Sequence, residues 1–165
     1  MSGIYILVGG NQGNRLSYLQ RSVECLKEKG IMINRCSSVY ESEPWGKSDQ
    51  PWFLNAVLEV TFEGSPEDLL DICLESEHDM GRIRTEKWGQ RIIDIDILFY
   101  HDKIVTSEKL MLPHPRIQER KFTLIPLAEL ASSLQHPISN LSIEHLLSIC
   151  KDPLACKVSD LTLRI

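Results

Sequence analysis

The sequence predicts an α+β sandwich, with the order β-α-β-β-α-β of the ferredoxin-like plan and a C-terminal helical extension. Two observations carry that prediction. Windows in which apolar residues recur with period two alternate along the chain with windows of helical spacing. The 165 residues also show no linker, repeat or low-complexity tract, so residues 1–165 are read as a single domain.

Ile4–Val8 is an unbroken apolar run, read as a buried strand that stops at the turn Gly9–Gly10–Asn11–Gln12–Gly13. Asn14 is placed to cap a helix in which Leu16, Leu19, Val23 and Leu26 share a stripe, and Gly30 stands at its C-terminal cap. Residues 31–40 are weakly strand-like. Residues 41–53 hold two prolines, a glycine and two tryptophans and read as a long loop, a type that often carries function. Leu54, Ala56, Leu58, Val60 and Phe62 alternate with Asn55, Val57, Glu59 and Thr61, a strand. Ser65 and Pro66 are the N-cap and first residue of a second helix, with Asp68 in its first turn and Gly81 closing it. Residues 92–99 form the next strand. Residues 112–131 give short helical runs broken by Pro113, Pro115 and Pro126, and Ser142 caps a last helix through Cys150. Residues 132–165 carry no recognisable chemistry and are expected to complete the fold.

Lys and Arg total 18 against 23 Asp and Glu, a net charge of −5. That balance argues against a surface built to bind nucleic acid or anionic membrane, while leaving room for a local basic site. The apolar runs fall far short of the roughly 20 residues of a membrane helix. Met1–Gly3 leads into the first strand with no basic n-region, so the cytoplasm is the expected compartment. The five cysteines include no CxxC pair, which disfavours a disulfide framework; Cys25, Cys73 and Cys150 fall at helix positions beside Leu and Ile and read as small buried hydrophobes. The histidines lack metal-ligand spacing, leaving little support for zinc.

Ile92–Leu98 is the most informative stretch. Ile93, Ile95 and Ile97 point one way on a strand while Asp94 and Asp96 point the other, roughly 6–7 Å apart at about 3.3 Å per residue. The bland reading is the polar side of a half-covered sheet. The sharper one is a pair of hard oxygen ligands suited to Mg²⁺, which keeps positions for water and phosphate. Just before the strand, residues 82–91 carry Arg82, Arg84, Lys87 and Arg91 against Glu86, a local charge of +3 in an acidic chain. Carboxylates that hold metal beside cations that hold the remaining phosphate charge suggest a nucleotide polyphosphate. The Gly9–Gly13 turn lacks the Lys-Ser/Thr ending of a Walker loop. Glu77 lies on the apolar stripe of its helix, placed equally for an ion pair with an arginine or for a ligand role. His114, Arg116, Arg120, Lys121 and Phe122 make a second basic run, and Phe53 with Asn55 could hold a flat, hydrogen-bonding heterocycle.

Trp88–Leu98 resembles the signature of the 6-hydroxymethyl-7,8-dihydropterin pyrophosphokinases of folate biosynthesis. The likeness extends over Gly9 with Asn11, Tyr40–Pro44, Gln50–Asn55, Gly81–Arg84 and Leu112–Arg116 with Arg120, Phe122 and Pro126–Leu127, from about residue 4 to residue 131. It implies an enzyme that transfers pyrophosphate from ATP to the pterin hydroxymethyl group and releases AMP. Asp94 and Asp96 would hold two Mg²⁺ ions. Phe53 and Phe122 would stack the pterin, Asn55 would hydrogen-bond it, and Ser42, Pro44, Trp88 and Asp94 would lie near it. Arg82 and Arg91 would bind phosphate and steady the transition state. Glu77, Arg84, Lys87, Ile97, Lys109, Leu110, His114, Arg116 and Arg120 are the matching candidates around ATP. A monomer is expected, with no nucleic acid or membrane partner. Gly10 stands where the family pattern has serine, Gln90 where proline or a small residue is common, and Lys87 where arginine is frequent; an effect on loop behaviour or ATP affinity is expected. Two other classes remain: a binding module of the same fold, whose output would survive Asp94→Ala, and a nucleic-acid binder with strongly salt-dependent affinity.

Overall fold

A computed structural model describes residues 2–83 and 87–165. In chain order the elements are β1 (Ile4–Gly10), α1 (Arg15–Glu28), β2 (Met32–Cys36), β3 (Tyr40–Ser42), β4 (Phe53–Thr61), α2 (Pro66–Asp79), β5 (Asp94–Tyr100), β6 (Val105–Thr106) and β7 (Met111–Leu112). A 3₁₀ turn at Ile117–Glu119, α3 (Lys121–Ala131), α4 (Ile143–Ile149) and β8 (Cys156–Val158) follow. Among the described residues six strands form one sheet in the order β5-β1-β4-β3-β8, with β2 beside β3 on the same edge of β4. Every pairing is antiparallel. β1 between β4 and β5, and β4 between β1 and the β2/β3 edge, is the arrangement the ferredoxin-like plan requires.

The helix boundaries follow from their caps. Asn14 accepts from the Ser17 amide at the start of α1, and Ser65 with Asp68 makes a reciprocal capping box at the start of α2, with Pro66 behind it. Both helices lay their apolar stripes on one face of the sheet, where Leu19, Val23, Leu26, Leu69 and Cys73 meet Ile4, Ile6, Val8, Ile93, Ile95 and Ile97. On the other face Leu124 and Leu127 of α3 and Ile143 and Leu146 of α4 cover Tyr5, Leu7, Val57, Leu98 and Phe99. The C-terminal extension thus builds a third layer, which covers one end of that face and leaves the other to a cleft. No helix among the described residues is long and apolar enough to cross a membrane.

Four differences from the sequence reading have physical causes. The weak strand at 31–40 is two short strands that share β4 as partner, so the long loop begins only after Ser42. Strict alternation in β5 fails after Ile97: the register shifts so that Tyr5 faces Phe99 while Ile6 faces Ile97. That bulge puts both Leu98 and Phe99 on the second face. α3 runs through Pro126 rather than breaking there, because Thr123, Leu124, Pro126, Leu127 and Ala131 are all buried and packing outweighs the missing amide. The hairpin β6-β7 and the edge strand β8, two or three residues each, carry no periodic signal.

Candidate active site

The cleft opens where β1, β3, β4 and β5 present one face beside the N-terminus of α3. It encloses about 530 Å3, part of it open to solvent, between Leu7, Gly9, Ser42, Glu43, Trp45, Phe53, Asn55, Trp88, Arg91, Asp94, Asp96, Arg120 and Phe122. Strand register explains its floor. Gly9 lies opposite Asn55 on one side and Asp94 on the other, and Leu7 lies opposite Val57 and Asp96. A Cβ on Gly9 would stand 2.3 Å from Asn55 Oδ1, so only glycine lets that amide lie across β1. Asn55 Nδ2 donates to Ser42 Oγ at 2.7 Å, both residues being buried. The amide is thereby oriented on the cleft floor.

Arg82 and Arg91 grip the two oxygens of Asp94. Arg82 Nη1 reaches Asp94 Oδ1 at 2.7 Å and Glu77 Oε2 at 2.7 Å, and Arg91 Nη1 reaches Asp94 Oδ2 at 2.8 Å. Glu77 also accepts from the Ile95 amide at 2.8 Å. It therefore ties α2, Arg82 and β5 together. The two aspartates part company electrostatically. Burial raises the pKa of each, but at Asp94 the two guanidiniums outweigh it and hold the carboxyl below the usual range. At Asp96 burial and the neighbouring charges of Asp94 and Glu77 push it up to about 8.

The walls are aromatic and cationic. Trp45 and Trp88 meet edge to face with centroids 5.4 Å apart; Arg116 lies over both rings, and Arg120 lies 4.9 Å from the Trp45 centroid and 5.5 Å from that of Phe122. Arg120 Nε is buried without a hydrogen-bond partner, an orphaned donor in the wall of a polar cleft. His114 is pushed down to about 4 by burial and by Arg120, so it is neutral at pH 7; its Nδ1 accepts from the Arg116 amide.

The predicted residues Ser42, Phe53, Asn55, Trp88, Arg91, Asp94, Asp96, Arg120 and Phe122 all line the cleft, and Arg82 and Glu77 stand directly behind Asp94. Arg84 lies outside the described residues. Pro44 is buried between Glu43 and Trp45, Lys87 lies 4.8 Å from the Trp88 centroid, Lys109 is exposed at the β6-β7 turn, and Leu110 is buried in the first core. The Ile97 side chain points into that same core, away from the cleft, so only its backbone is left to meet a ligand. Glu43, Trp45 and Leu7 line the cleft without having been singled out. The loop's tryptophan content was the one available signal, and it does not say which of the two turns inward.

The Gly10 departure has a structural reason. A Cβ there would stand 2.3 Å from the Ile92 carbonyl oxygen, because residues 91–92 lie directly on the end of β1. Asn11 clamps them, its backbone N–H donating to Arg91 O and its Oδ1 accepting from the Arg91 backbone N–H, both at 3.0 Å. Gly10→Ala should lift this segment and Arg91 with it, lowering kcat/KM about tenfold, with the larger part of the change in KM. Unchanged steady-state kinetics would show that the seat does not matter.

Oxygen donors dominate the donor set. Among the described residues no group of three or more His, Cys, Asp or Glu side chains could hold a metal by itself. Two carboxylates on one strand supply only part of a shell, which fits a hard ion that shares its coordination with water and phosphate. Fold and cleft together define a class: an α+β protein whose cleft sets a pair of half-buried carboxylates and the guanidiniums that grip one of them beside aromatic rings.

Comparison with known proteins narrows the class. Residues 5–132 match the sequence model of 7,8-dihydro-6-hydroxymethylpterin-pyrophosphokinase (HPPK), and the chain belongs to that family. It is 43% identical over 135 residues to the 2-amino-4-hydroxy-6-hydroxymethyldihydropteridine pyrophosphokinase of Methylorubrum extorquens, a match covering 81% of this chain and 85% of that protein. The folic acid synthesis protein fol1 of Pneumocystis carinii is 43% identical over 140 residues, 85% of this chain but 19% of that protein. Among solved structures, Plasmodium falciparum HPPK-DHPS with pteroate superposes with a TM-score of 0.71 at 18% identity, over 89% of this chain and 42% of that one. The chain therefore spans a minor part of these last two proteins and most of the Methylorubrum one.

Proposed function

We propose that the protein transfers the terminal pyrophosphate of ATP to the hydroxymethyl group of 6-hydroxymethyl-7,8-dihydropterin, giving AMP and the pterin diphosphate, a step of folate biosynthesis. One observation carries the reading: the Asp94–Asp96 pair, with two guanidiniums on Asp94, faces the same cleft as Phe53, Phe122 and the oriented Asn55 amide. On this reading a polyphosphate site and a heterocycle site share one cleft.

Phe53 and Phe122 offer π faces for the pterin, and Asn55, held by Ser42, reads its hydrogen-bonding edge. Asp94 and Asp96 would hold Mg²⁺, two ions on this reading, which when bound to the phosphates neutralises charge there and orients the chain of phosphorus centres. Arg82 and Arg91 bind phosphate oxygens and stabilise the charge that develops as the hydroxyl attacks the β-phosphorus in line. Arg116 and Arg120, stacked on Trp45, Trp88 and Phe122, hold the aromatic rim over the cleft and exclude water, the competing acceptor. His114, Lys87, Lys109 and Arg84 complete the surroundings of ATP. No covalent nucleophile takes part; catalysis is positioning and charge stabilisation. On this reading the protein acts as a monomer. Free thiols at all five cysteines fit the reducing cytoplasm.

The test is direct. With Mg²⁺, ATP and 6-hydroxymethyl-7,8-dihydropterin, AMP should form only when the pterin is present. Formation of ADP, or AMP release independent of pterin, overturns the reading.

A further inference from the structure

A short stretch beyond the family match, residues 152–156, touches both side walls of the cleft. α3 begins at Lys121, between Arg120 and Phe122, and its N-cap residue, Arg120, makes no side-chain cap. The cap comes instead from Asp152, thirty-one residues on. Asp152 is 8% exposed; its Oδ2 accepts from the Lys121 amide at 3.0 Å, and its Oδ1 accepts from the Leu154 amide at 3.0 Å. One carboxylate therefore supplies the missing N-terminal acceptor of α3, where negative charge is also favoured by the helix dipole, and sets the turn that follows it. Three residues later the same turn reaches the opposite wall. Ala155 O accepts from the Glu43 amide at 3.0 Å, and β8 then pairs with β3, setting Cys156 opposite Ser42.

We infer that Asp152 is a positioning residue for the pterin slot: by capping α3 and bracing the 153–156 turn against Glu43 and Ser42, it sets the separation of the Arg120–Phe122 wall from the Ser42–Glu43 wall. Asp152 touches no substrate. It acts through Phe122, Arg120 and Ser42, and the inference rests on the pterin assignment of the cleft made above. The groups assigned to metal and phosphate, Asp94, Asp96, Arg82 and Arg91, belong to β5 or are tied to Asp94 at its start, so displacement of these two walls falls on pterin binding more than on ATP.

Asp152→Ala should raise KM for the pterin about fivefold, the scale expected of one lost capping contact, while kcat and KM for ATP change less than about twofold. Hydrogen exchange should show the amides of residues 121–124 losing protection. Asp152→Asn keeps one carbonyl acceptor and should rescue part of the effect, with a KM rise of about twofold; where the alanine variant fails to fold, this variant decides. Val23→Ala, a truncation in the core on the far side of the sheet, should lower Tm without moving the pterin KM. An unchanged pterin KM in both Asp152 variants, or an equal rise in Val23→Ala, overturns the inference. These failures are separable from that of the parent reading, in which the unaltered protein makes no pterin-dependent AMP.

Discussion

Asp94→Ala and Asp96→Asn should both abolish turnover, with kcat falling about a thousandfold or more, yet shift the stability of the metal-free protein in opposite directions. The shared loss follows from the chemistry: each carboxylate is half of a two-residue donor set, and metal-borne charge stabilisation is worth several kcal/mol in the transition state, at roughly 1.4 kcal/mol per tenfold. The opposite stabilities follow from the geometry. Asp94 is the anion that Arg82 and Arg91 share; without it two mostly buried guanidiniums face one another across the gap, at a cost of about 2 kcal/mol once partial exposure is allowed for. Among the described residues Asp96 has no such ion pair, and burial, with Asp94 and Glu77 beside it, disfavours its charged form by more than Arg120 and Arg82 favour it. An isosteric amide removes that penalty, so Tm should hold or rise by about 2–4 °C, the equivalent of roughly 1 kcal/mol at this chain length. Thermal melts in EDTA beside steady-state assays in Mg²⁺ check both halves. A drop in Tm for Asp96→Asn, or persistent turnover in either variant, would sink this account of the pair.

Why the pair was legible in sequence, while its surroundings were not, is a matter of range. Period-two alternation places Asp94 and Asp96 on one face whatever the rest of the chain does, and the caps at Asn14, Ser65 and Ser142 depend on three or four neighbouring residues. Those readings held to within a residue or two. The turning inward of Trp45, by contrast, depends on Trp88 and Arg116, 43 and 71 residues away. The bulge at Leu98 depends on the register of β1. β8 is three residues whose strand character comes entirely from β3. The remote cap of α3 by Asp152 has no local signature either. Glu77 lies between these cases: helical spacing showed it on a buried stripe, and the structure supplied the cation that makes burial tolerable.

Arg82→Ala should lower kcat about a hundred- to a thousandfold and cost about 3 kcal/mol of stability, and the lysine variant should separate the two. Arg82 is largely buried between Glu77 and Asp94, and a single nitrogen, Nη1, meets both carboxylates at 2.7 Å. Alanine removes the cation from between two acidic groups, one of which is 4% exposed, so the stability loss is that of a broken buried pair. Catalysis asks for more than this charge. A phosphate passing through a charge-developing transition state is best held by a planar fork with several donors, and removal of such a group costs at least a hundredfold in comparable sites. A lysine ammonium can stand where Nη1 stands and satisfy Glu77 and Asp94, but it is a point charge without the fork. Arg82→Lys should therefore recover most of the lost Tm while kcat stays about ten- to a hundredfold down. If lysine restores both, Arg82 serves only as the counter-ion of the acidic wall and phosphate stabilisation falls to Arg91; if it restores neither, the Nη1 bridge is not what holds α2 to β5.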